Sequence, residues 1–108
     1  MGKYKKILIF PDFSSSGIWN ASDPCHVMID YEDLGLPKKL VKQFVHWIYR
    51  MYDDGYKKDY SGLTKKAIKP VYEEGLRLSR EVKKLFPDLE IEYWAEMGNC
   101  KLKKMKVK

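Results

Sequence analysis

The chain opens with a short apolar run, KKILIF over residues 5–10, closed by Pro11. An unbroken apolar run of this length predicts a buried strand, and a proline with no N–H marks its end. Residues 12–26, rich in Ser, Asp, Asn, Gly and Pro, predict a loop. A second, short strand is expected at Val27–Asp30, and Glu32 to Leu36 lead into a helix with Pro37 near its first turn, where a missing N–H costs nothing.

From Pro37 to about Tyr52 the apolar positions are Leu40, Val41, Phe44, Val45, Trp47, Ile48 and Met51. Spacings of three and four put them on one broad helical face. Asp53-Asp54-Gly55 stops that helix, and residues 53–62 predict a polar loop. A second helix starts near Leu63 or Thr64, or restarts at Pro70, and ends before Pro87. Its buried side is Ile68, Val71, Tyr72, Gly75, Leu78, Val82 and Leu85. Gly75 in mid-helix costs about 1 kcal/mol against Ala, which points to a close approach by a neighbouring element.

Residues 88–94 (DLEIEYW) alternate, with Leu89, Ile91 and Tyr93 on one face and Glu90, Glu92 and Trp94 on the other. That is a strand covered on one side. The last eight residues, KLKKMKVK, read either as a frayed basic tail or as an edge strand blunted by lysine. The expected fold is therefore α/β, with α+β as the other class open: a small sheet of about three strands and two main helices on one face. Residues 1–100 form a single domain and residues 101–108 its tail or edge strand. If the first and last strands are neighbours, the helices between them make the pair parallel.

Composition changes this picture little: 108 residues with 44% apolar content suit one domain with a real core. Charge changes it more. The net charge is +6, yet residues 7–37 hold no Lys or Arg and five acids, Asp12, Asp23, Asp30, Glu32 and Asp33. The two ends and the helices are basic, while the last strand is acidic again. An acidic, aromatic segment of this kind repels phosphate and attracts a basic protein surface.

Catalytic and metal chemistry find little support. Cys25 and His26 are adjacent, whereas Cys–His pairs in enzymes converge from distant parts of a chain. His46 lies among apolar residues as a core or boundary side chain. No C-x₂-C or H-x₃-H pair is present, so zinc spacing is absent. Ser14-Ser15-Ser16-Gly17 follows the first strand but lacks the Gly-Lys-Ser/Thr core of a P-loop and reads as a turn. No catalytic residue, metal or cofactor is assigned, and a non-enzymatic protein is expected. Cys25 and Cys100 read as free thiols in a reducing compartment. The four-residue apolar run near the N-terminus is too short for a signal or a membrane span, so a cytoplasmic protein without membrane contact is expected.

A resemblance adds a direction. The segments ILIFPDFSSSGIWN, VMIDYEDLGLPKKLVKQFVHWIYRMYDD and EEGLRLSREVKKLFPDLEIEYW resemble small bacterial immunity-type proteins of polymorphic and contact-dependent toxin systems. The shared features are a strand followed by D-[YF]-x-S-x-G-[IL]-W, a Met-Ile-Asp segment before D-L, an aromatic helix, a helix beginning E-G-x-x-L, and a final P-D-x-x-[VI]-E-Y-W strand. The resemblance spans roughly residues 7–94 and implies a stoichiometric inhibitor of a toxin domain, often a nuclease. The chain departs from such inhibitors of nucleases in being basic overall. On physical grounds the interface candidates are Phe13, Trp19, Asp23, Asp30, Tyr31, Glu32 and Asp33, since aromatics beside carboxylates are common hot-spot chemistry. For Trp19 and Tyr31 the alternative is a core role pinning the long loop. The alternative function is nucleic-acid binding through Arg77, Arg80 and the lysines of the second helix and tail, although no recognised nucleic-acid module is present.

Overall fold

The computed structural model describes residues 4–11, 15–23, 25–51, 65–96 and 102–108. Among them, four strands form one mixed sheet in the order β2-β1-β3-β4. The elements run β1 Lys6–Ile9, β2 Ile18–Asn20, α1 Tyr31–Leu34, α2 Lys38–Met51, α3 Lys65–Leu85, β3 Glu90–Glu96 and β4 Leu102–Val107.

The apolar run places β1 at the centre, where it pairs antiparallel with β2 and parallel with β3. The parallel pair is the arrangement expected when helices separate two neighbouring strands. Ile7 and Ile9 stand opposite Ile91 and Tyr93, and these four have essentially no solvent exposure. They meet Phe44, Trp47 and Ile48 of α2 and Val71, Leu78 and Val82 of α3 in one core.

Gly75 is the point of closest approach. A Cβ there would run into the Tyr93 hydroxyl and the Trp47 ring. The Tyr93 hydroxyl donates to the Tyr72 carbonyl at 3.1 Å, and Trp47 Nε1 donates to the Val71 carbonyl at 2.9 Å. Both buried polar tips are thereby satisfied on the backbone of α3. The helix passes without interruption through Pro70, so its start lies at the earlier of the two expected places.

Three expectations need correction. The segment 12–26 is not all loop, because Ile18–Asn20 forms β2, with Ile18 fully buried. Polar composition concealed it, and Gly17, at φ +79°, supplies the backbone turn that starts it. The strand expected at Val27–Asp30 shrinks to one bridge, Trp19 to Met28, on the outer side of β2. Glu32 to Leu36 do not run into α2. Gly35, at φ +76°, closes α1 as a separate single turn, with its N–H directed at the carbonyls of Tyr31 and Glu32.

The lysine-rich end is the edge strand β4, paired with β3 from Glu96↔Leu102 to Ile91↔Val107. The sheet face away from the helices holds Leu8, Trp19 and Glu92 in one register row. Trp94 lies on that face too, with Lys104 4.2 Å from its ring and His26 edge-on at 6.1 Å. Leu8 is only 4% exposed there, on the face opposite the described helices. Of the residues assigned to helical core faces, Val45 and Leu85 are exposed, as is His46. Met51 and Ile68 lie outside the residues whose side chains are described. Among the described residues no helix is long and apolar enough to cross a membrane.

Candidate functional site

Residues 15–18 and 29–31 are tied together before any surface feature is considered. The buried Ser16 hydroxyl donates to the Ile29 carbonyl at 2.6 Å and accepts the Ile18 N–H at 3.2 Å. Tyr31 returns the connection, its hydroxyl donating to the Ser16 carbonyl at 2.7 Å. Burial pushes that phenol up to about 12. The Tyr31 ring sits 6.0 Å from Phe44, which continues through Trp47 and Tyr93 to Tyr72 in a chain of tilted and edge-on contacts. The start of α1 is therefore anchored to the core by an aromatic spine.

Against this floor lies an apolar patch that hydrophobic burial has left open. Met28, Val45 and Tyr49 are 42%, 40% and 56% exposed. Val45 and Tyr49 are one helical turn apart on α2 and so share a stripe. They surround a cavity of about 240 Å³ whose wall includes Tyr31, Ile48 and Asp30. A broader groove on the other side of Tyr31 and Asp30 runs between Glu32 and the Lys38, Val41 and Lys42 positions of α2. Asp30 and Tyr31 thus form the ridge between the two depressions.

Four carboxylates of α3 and β3 are paired with cations. Glu74 is bonded to Arg77 at 2.7 Å, and Glu81 pairs with Lys84 at 3.6 Å. Glu92 pairs with Lys6 at 3.2 Å, and Glu90 with Lys106 at 3.8 Å. The Arg77 hydrogen bond holds Glu74 below its ordinary range, and the Trp94 indole does the same for Glu92. Asp30, Glu32 and Asp33 are exposed. Among the described residues, no side-chain hydrogen bond or ion pair engages any of the three. They stand exposed, with Lys38 and Lys42 lining the same groove as Asp30 and Glu32 but not within ion-pair distance of them.

Of the interface candidates, Asp30, Tyr31 and Glu32 line the two depressions, and Asp33 is exposed on the same helical turn without lining either. Trp19 adjoins this surface through its bridge to Met28, but its indole donates to the Phe10 carbonyl at 3.2 Å and helps hold the loop. Asp23 is occupied in a turn, accepting the Cys25 N–H at 2.9 Å. Phe13 lies outside the described residues. Sequence reasoning missed Met28, Val45 and Tyr49 as surface residues. The available signal was that a seven-position apolar face on α2 is wider than one contact with the sheet can cover.

Cys25 is an exposed free thiol, and Cys100 lies outside the described residues. Among the described residues no group of three His, Cys, Asp or Glu side chains is placed to hold a metal ion. In comparisons with protein-family models, curated proteins and solved structures, no match to this chain was found.

Proposed function

We propose that the protein is a non-enzymatic binding domain, an immunity protein that neutralises a cognate bacterial toxin domain in the cytoplasm by direct stoichiometric binding. The observation that carries this proposal is an exposed Met28–Val45–Tyr49 patch next to Asp30, Glu32 and Asp33, which are exposed and form no ion pair among the described residues. An apolar centre with a charged rim is the usual anatomy of a protein interface. Exposed carboxylates steer a basic partner and reject an acidic one, which fits a nucleic-acid-binding toxin. The resemblance over residues 7–94 supplies the toxin as the occupant.

Several cations of the nucleic-acid alternative have neighbours of their own, although Arg80 and Lys69 are exposed and outside the ion pairs among the described residues. Arg77 and Lys84 of α3 are held by Glu74 and Glu81, and Lys104 and Lys106 of β4 by Trp94 and Glu90.

The test is co-purification of the adjacent gene product with tagged protein at roughly 500 mM salt, where exposed long-range charge is screened. A stoichiometric protein partner is expected. Changing Asp30, Glu32 and Asp33 together to Lys is expected to weaken its binding at least about 100-fold. Glu73→Lys, on the exposed side of α3, should leave it unchanged. Nucleic acid carried through at low salt, with no protein partner, would sink the proposal.

A further inference from the structure

We infer that the cavity beside Tyr31 receives one large apolar side chain of the partner, Leu to Phe in size, from a segment that places an Arg or Lys next to it. The inference rests on the proposal that this surface is the docking site, and it specifies the chemistry of what docks.

Size decides the class of occupant. Pockets for free small molecules and cofactors usually run from roughly 300 to 1,000 Å³, and this one holds about 240 Å³. It matches a single side chain presented by a larger partner. Its lining decides the side chain's character. Met28, Val45, Ile48, Tyr49 and the Tyr31 ring present carbon, while the Tyr31 hydroxyl is donated to the Ser16 carbonyl, the Ser16 hydroxyl to the Ile29 carbonyl, and Ser15 Oγ accepts the Gly17 N–H. An apolar group therefore enters without orphaning that hydroxyl.

Charge decides the neighbour. Asp30 lines both the cavity and the adjoining groove, and Glu32 lines the groove. A cation beside the anchor meets Asp30 first, and a guanidinium can take a carboxylate with two parallel hydrogen bonds. The cavity's floor is built rather than loose: Ser16 clamps the Ile29 carbonyl, and Tyr31 packs at a tilt against Phe44. Ordering such a pocket costs little at the moment of binding.

The test needs no knowledge of the partner. Amide shifts of the intact protein are followed by NMR while acetyl-Phe-Arg-amide is added, with acetyl-Ala-Arg-amide and acetyl-Phe-Glu-amide as comparisons. Saturable shifts centred on Tyr31, Val45 and Ile48 are expected, with a dissociation constant of about 1–10 mM. The Phe-to-Ala change should weaken binding about 10-fold or more, the value of burying one aromatic side chain. Asp30→Asn should weaken the Phe-Arg compound by about two- to fivefold, as suits an exposed ion pair, and leave the Phe-Glu compound no weaker. Val45→Trp, at a position open enough to tolerate it, should fill the cavity and abolish the shifts while the fold is retained. No saturable shift, equal binding of the Ala compound, or shifts centred elsewhere would overturn the inference. Those outcomes are independent of the charge-reversal experiment: a partner lost on reversal but indifferent to Val45→Trp retains the surface and removes the anchor.

Discussion

Two residues show how a single side chain constrains the whole molecule. At most exposed helical sites Gly→Ala stabilises by about 1 kcal/mol. Gly75→Ala is expected to do the reverse, because its methyl meets the Tyr93 hydroxyl and the Trp47 ring. Overpacking of this kind costs about 1–3 kcal/mol, measurable by urea denaturation, and Tyr93→Phe in the same chain should recover part of the loss. The second residue is Tyr31. Its phenol titrates near 10 when unfolded and about 12 when folded, so the native state holds the proton more tightly. The stabilisation is complete below pH 10 and falls as pH rises from 10 through 12. Tyr93 is raised by burial as well, so both contribute to alkaline unfolding. Tyr31→Phe should make the pH dependence of stability between pH 10 and 12 shallower, followed by circular dichroism in denaturant. A slope identical to the parent's would mean that the phenol is equally hydrated in both states.

At the scale of elements, α3 carries a proline that its packing tolerates. Pro70 removes one backbone donor inside a 21-residue helix and cannot bond the carbonyl four residues earlier. Pro70→Ala is expected to stabilise the protein by about 2 kcal/mol, less than the full helix-interior penalty because proline also restricts the unfolded chain. Unchanged or lower stability in thermal melts would show that the turn before residue 70 gains nothing from the restored N–H. β4 is part of the sheet rather than a dispensable tail. Deleting residues 101–108 would remove a strand paired to β3 along six positions, and with it the buried Val107. Loss of function on deletion therefore says nothing about the lysines. Changing Lys103 and Lys108, exposed and outside the ion pairs of the sheet, to Gln isolates their charge. The protein-binding proposal expects no change in partner affinity from it.

At the scale of the whole molecule, charge and apolar surface are segregated. Glu74, Glu81, Glu90 and Glu92 are matched to neighbouring cations, whereas Glu32 and Asp33 of α1, like Glu73 of α3, form no ion pair among the described residues. The grouping of Asp30, Glu32 and Asp33 gives one end of the protein a distinct potential. It leads to the expectation that association with the partner slows as ionic strength rises. Stopped-flow measurement should find an association rate that falls about tenfold or more between low and physiological salt, and the triple Lys variant should lose that dependence. A salt-independent rate in the parent would mean that contact at the apolar patch alone governs encounter.

Much of the architecture was legible in the residues because it depends on local periodicity. The run at Ile7–Ile9, the three- and four-residue spacing of α2 and the alternation of Leu89 to Tyr93 each mark which side must leave water, and Ile7, Ile9, Leu40, Phe44, Trp47, Ile48, Leu89, Ile91 and Tyr93 did. Gly75 announced a close approach through its helix cost alone. The acidic character of Asp30, Glu32 and Asp33 was equally plain. What the chain could not reveal was decided by partners distant in sequence. β2 exists because Ile9 and Ile18 face each other across a ladder, which outweighs a loop-like composition. Leu102–Val107 is a strand because β3 offers it an edge to pair with. Val45 faces solvent although its spacing suits the core, because the sheet and α3 cover only part of the α2 face. The candidate site follows the same division. Its charge is a property of residue types, while its cavity arises from the Tyr31–Ser16 bond and the limits of packing around Phe44, both of which form only on folding.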